Sequence, residues 1–135
     1  MPAGAATPAQ QTLGLEGAWV PIAASVACSK LAVEELRVRY LVLNCGAYQI
    51  IDRSNRVVDT GHYRVDDSCS PPRLDITGTT GPNAGRTMLA IYRQRGDELT
   101  VAYDLERAAR PAHLTPRPDQ PLLRITYARA ALAFS

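Results

Sequence analysis

The chain has 135 residues, 46% of them hydrophobic, which suits one domain built on one core and leaves no room for a second. Lys and Arg number 15 against 13 Asp and Glu, and a formal charge of +2 with scattered basic residues excludes the basic stripe of a nucleic-acid binder. No run approaches the ~20 apolar residues that cross a bilayer as a helix.

Residues 1–12 are small and polar, with Pro2 and Pro8, and lack the charged start and apolar run of a secretory signal. They read as a disordered tail on a cytoplasmic protein, unless a leader has been removed. The domain is expected over residues 13–130, with 131–135 as a second tail. Residues 19–26 (WVPIAASV) read as a first strand, in which Pro21 calls for an edge or a bulge. Residues 29–36 (SKLAVEEL) are the one helical candidate, capped by Ser29 and pressing Val33 and Leu36 against one end of the fold.

Seven more strands follow, at 38–44, 47–52, 57–65, 73–77, 87–93, 98–104 and 122–129. Their connectors carry turn chemistry: Cys45-Gly46, Arg53-Ser54-Asn55, Asp66-Asp67-Ser68, the run Gly81-Pro82-Asn83-Ala84-Gly85, and Arg95-Gly96-Asp97. About eight sequential strands with short links predict an all-β, antiparallel up-and-down barrel with one short helix, since closure removes the exposed edges of an open sheet. Such a barrel has an interior that side chains fill or that holds one small ligand. Residues 107–121 (RAARPAHLTPRPDQP) form a long proline-rich connector, read as a lid over one end.

Two stretches carry a resemblance. Leu15-Glu16-Gly17-Ala18-Trp19 looks like the Gly-x-Trp opening of lipocalin-like strands. The succession Gly61-His62-Tyr63, Gly81-Pro82-Asn83-Ala84-Gly85-Arg86-Thr87, Gly96-Asp97-Glu98-Leu99 and Arg110-Pro111 resembles an uncharacterised bacterial family of single-domain lipocalin-like proteins, common in planctomycetes. The resemblance covers roughly residues 13–129 and implies a calycin-type barrel. It supplies no catalytic residues. It further implies that Trp19 stacks against an arginine of the last strand, Arg129 or Arg124, with a structural role. Cys28 and Cys45, and arginine-rich loops, depart from the family pattern.

Six tyrosines lie in the predicted strands, whereas the single phenylalanine, Phe134, lies in the tail. Period-2 alternation puts Tyr63 with Val65, Tyr103 with Leu99 and Val101, and Tyr127 with Leu123 and Ile125 on inward faces. Buried tyrosines commonly fill a core and bond their hydroxyls to backbone. Alternatively the phenols line a pocket, with Tyr48, Tyr63, Tyr92, Tyr103 and Arg124 as the candidate ligand-binding residues. An inward Arg124 would invite an anion; an outward one would be solvated.

No cofactor or metal is expected. His62 and His113 lack partners at ligand spacing, the glycines at 81 and 85 lead into a strand and not a phosphate-binding helix, and no nucleophile motif is present. Cys28, Cys45 and Cys69 are read as reduced thiols, with a Cys28 to Cys69 bridge left open. Three functions stay open: binding of a small, largely apolar or amphipathic molecule, a cofactor-independent cyclase or isomerase, and a filled barrel acting as a protein-interaction module.

Overall fold

The computed structural model describes residues 14–105, 110–115 and 122–130. Among them nine strands form one antiparallel sheet: β1 (Gly17–Val26), β2 (Ser29–Leu31), β3 (Tyr40–Asn44), β4 (Ala47–Ile51), β5 (Val57–Asp66), β6 (Arg73–Thr80), β7 (Thr87–Arg95), β8 (Glu98–Asp104) and β9 (Leu122–Arg129). From β3 to β9 each strand pairs with the next, and β9 pairs back onto β1 from Trp19↔Arg129 to Val26↔Leu123. The result is a closed eight-stranded up-and-down barrel, consistent with a lipocalin-like architecture. No described helix is long and apolar enough to cross a membrane.

β1 carries two neighbours on one edge. Its first residues, 17–19, pair with β3, and its last, 24–26, pair with β2. Between Pro21 and Ala23 its register against β9 shifts by one, so Ile22 bulges out, as the proline requires.

The expected helix over 29–36 is not formed. Ser29–Leu31 extends as β2, and only Val33–Leu36 makes a single 3-10 turn, preceded by Ala32 with no side-chain cap and ended by Arg37 in the left-handed region (φ 56°). An isolated helix of this length is marginal, and the unpaired edge of β1 beyond β3 offers backbone partners that the segment takes instead.

The hairpins alternate between two ends of the barrel. One end gathers the start of β1, the end of β9 and the turns β3–β4, β5–β6 and β7–β8. At Cys45-Gly46 both turn residues have positive φ (52° and 83°), the two-residue hairpin whose twist matches its strands. The other end gathers the 3-10 turn, the β4–β5 and β6–β7 loops, and the points where the chain leaves β8 and enters β9.

Inside, Trp19, Leu43, Leu74, Leu99, Val101 and Tyr127 are buried in one core. A second small cluster, Ile91, Ala102 and Leu122, lies on the outer wall and is covered by Leu114. Arg110 ties the same segment down, at 2.7 Å from Asp75 and donating to the carbonyl of Ala90 at 2.9 Å. The described piece of the proline-rich connector therefore packs on the outside of the barrel, not over its mouth, because both faces of β7 are apolar and the outer one needs a cover. Residues 107–109 and 116–121 of that expected lid lie outside the described residues.

Candidate functional site

A cavity of about 570 Å³ occupies the half of the barrel nearer the second end. Its wall is mostly apolar: Leu41, Ile50, Ile76, Met88, Leu123 and Ile125 point in from successive strands, and Leu36 of the 3-10 turn closes one side. Period-2 alternation explains the set, since each of these residues shares its strand's inward face with a core residue.

Three polar groups of the wall are hydrogen-bonded to one another. Tyr48 of β4 donates its hydroxyl to Oδ1 of Asp59 on β5 at 2.9 Å, and Nδ2 of Asn83, from the β6–β7 loop, donates to Oδ2 at 2.9 Å. Asp59 is 7% exposed. Two glycines make this approach feasible. A Cβ on Gly61, which faces Tyr48 across the β4–β5 ladder, would lie 2.5 Å from the Tyr48 ring and 2.0 Å from the carbonyl oxygen of Thr77. At Gly81, whose φ is +83°, a Cβ would meet the Val58 carbonyl oxygen at 2.5 Å, so the loop carrying Asn83 could not seat against β5.

Tyr103 of β8 and Tyr127 of β9 also line the cavity, interacting through their hydroxyls. Burial pushes both phenols up, Tyr127 the further. Tyr48 lies well above the ordinary phenol range, first through burial and then through the hydrogen bond and charge of Asp59. All three therefore stay neutral hydrogen-bonding groups across the physiological range.

Of the five residues expected at the site, Tyr48 and Tyr103 line the cavity and three do not. Tyr63 points inward but toward the other end, where its hydroxyl donates to Glu16 at 3.4 Å. Tyr92 is buried in the core, its phenol raised by burial and by the charge of Asp67. Arg124 faces outward, because its neighbours Leu123 and Ile125 take the inward positions of β9. The cavity thus has no arginine from β9, and the guanidinium among its described lining residues is that of Arg37.

Tyr127, Asp59 and Asn83 were missed as site residues. Asp59 had a legible signal, since alternation from inward Tyr63 through Gly61 reaches it. Asn83 had none, because a loop residue has no face until its loop is placed.

At the first end the arrangement is filled. Trp19, fully buried, donates from Nε1 to the carbonyl of Leu15 at 2.9 Å, and the Arg129 guanidinium lies 4.3 Å over its ring. Arg129 also donates to the carbonyls of Gly14 (2.6 Å) and Glu16 and to Asp97 Oδ1 (2.9 Å). Between the two arginines named for this stack, the structure selects Arg129. Cys28, Cys45 and Cys69 are free thiols, and no group of three or more metal-ligating side chains occurs among the described residues. Comparison of the chain with protein-family models, with curated proteins and with solved structures finds no match.

Proposed function

We propose that the barrel binds a small, largely apolar molecule in the cavity between β4, β5 and β9, with the Tyr48, Asp59 and Asn83 group orienting one polar atom of it. The observation that carries this reading is the cavity itself: about 570 Å³, apolar over most of its wall, with a few hydrogen-bonding groups among the lining residues. Kinship with the bacterial lipocalin-like family belongs to the same proposal and is supported by the closed barrel and the Trp19 to Arg129 stack. A filled barrel acting only as an interaction module has less support, because the cavity is present.

A second reading, a cofactor-independent cyclase or isomerase, is favoured by one specific feature. A carboxylate, Asp59, stands beside phenols suited to hydrogen-bond developing charge in a largely apolar cavity. Turnover of a bound compound, lost in Asp59→Asn with binding retained, separates enzyme from binder.

Native mass spectrometry of the protein as purified, followed by a thermal-shift screen of apolar and amphipathic compounds, tests the binding reading. A retained mass supports it, and a compound at a hundred times its Kd adds ~2.7 kcal/mol of stability, a rise of roughly 8–12 °C for a domain of this size. No retained mass and no shift across the screen would overturn it.

A further inference from the structure

Asp59 is unusual among the charged groups of this chain. It is 7% exposed, its two described hydrogen bonds come from neutral donors, Tyr48 and Asn83, and no described Arg or Lys lies within ion-pair distance of it. Carboxylates this deeply buried are ordinarily paired with a cation, because desolvation of an unpaired charge is costly. A carboxylate accepts about four hydrogen bonds, so two lone-pair directions remain after Tyr48 and Asn83.

The rest of the cavity reinforces the sign. Among the described residues, Asp52 joins Asp59 in its lining, with Arg37 as the one guanidinium. The Asp52 carboxylate also accepts from the backbone N–H groups of Ser54 and Arg56, which holds it at the rim. An anionic headgroup entering this space meets repulsion at the rim and again at the wall.

We infer that the cavity selects an amphipathic molecule with a cationic, hydrogen-bond-donating head, an aliphatic or aromatic amine, whose ammonium group pairs with Asp59 while its tail packs against Ile76, Met88, Leu123 and Ile125. The inference rests on the binding reading above and adds to it the chemical class of the ligand. The head supplies the cation that Asp59 lacks among the described residues. Tyr103 and Tyr127, neutral groups of the same cavity wall, offer the head further hydrogen-bonding oxygens.

The test is a matched series, n-decylamine, n-decanol and n-decanoate, titrated below their micelle concentrations and followed by calorimetry and native mass spectrometry on the full chain. The amine binds at least about tenfold more tightly than the alcohol, and the carboxylate most weakly. In Asp59→Asn, a near-isosteric change, the preference of amine over alcohol shrinks by about tenfold, and an unchanged circular dichroism spectrum shows that the variant is folded. Equal affinities across the series, or a preference for decanoate, would overturn the amine inference and leave the cavity reading standing. Binding of no member would overturn both. Should Asp59→Asn fail to fold, the order within the wild-type series still decides.

Discussion

At one end of the barrel Arg129 stacks on Trp19 and donates to Gly14, Glu16 and Asp97, while at the other Asp59 meets only two neutral donors beside an open space. Both ends bring a charged side chain close to the barrel interior. The first satisfies its cation with backbone carbonyls, a carboxylate and a ring face, and packs the surroundings. The second leaves a carboxylate without a described cation and keeps the surroundings hollow. The difference separates an arginine that holds the fold from an aspartate available to a ligand.

The largest effect that tests this contrast is Trp19→Ala, which removes a fully buried ring and the surface on which Arg129 rests. It costs about 3–5 kcal/mol, read as a lower midpoint in urea denaturation. A loss below ~1 kcal/mol would mean that the packed end does not carry the fold.

Alkaline pH probes both ends together. Tyr48, Tyr63, Tyr92, Tyr103 and Tyr127 all have phenols raised above the ordinary value of 10.0, each chiefly through burial. With folded values above the unfolded one, the unfolded chain holds fewer protons once pH exceeds about 10, so their contribution to stability is complete below that pH and is lost as pH rises through the folded values. Phenolate absorbance from these residues then appears together with unfolding measured by circular dichroism. Phenolate absorbance from all five at pH 10 in a fully folded protein would contradict their burial.

Arg129→Lys is smaller, about 2 kcal/mol, because an ammonium keeps the charge but not the planar fork that serves Gly14, Glu16 and Asp97 at once. Ligand affinity at the far cavity stays unchanged, which calorimetry checks. The smallest stability effect belongs to Leu123→Phe, which grows into empty space and changes stability by less than about 1.5 kcal/mol. The same substitution weakens binding of any cavity ligand by at least about tenfold. A variant that binds as tightly as wild type would place the ligand elsewhere.

How far the residues alone reached differs between elements. The strands announced themselves because β-branched runs alternate with Gly, Asp, Asn and Pro clusters, and the expected spans at 98–104 and 122–129 coincide with β8 and β9. Residues 29–36 misled, since Ser29 and the spacing of Val33 and Leu36 suit a helix, yet a partner edge on β1 outweighs the weak propensity of so short a segment. Tyr63 was placed on the inward face, as the structure has it, and the face of Tyr92 stayed open because both faces of its strand are apolar; alternation reports which face a residue takes and not its height along the barrel. Height decides whether an inward tyrosine meets Glu16 at the packed end or the cavity at the hollow one.

By itself the sequence determined the strand rhythm, the tight turns, the need for an edge or a bulge at Pro21 and the inward faces of Tyr63, Tyr103 and Tyr127, all of which follow from local sterics and period-2 patterning. Only the tertiary structure decided the register at which β9 closes on β1, that Arg129 and not Arg124 covers Trp19, and that Asn83 reaches Asp59 from a loop 24 residues away. These depend on shear and strand stagger, which bring distant residues to one height in the barrel and are set by the closed sheet as a whole.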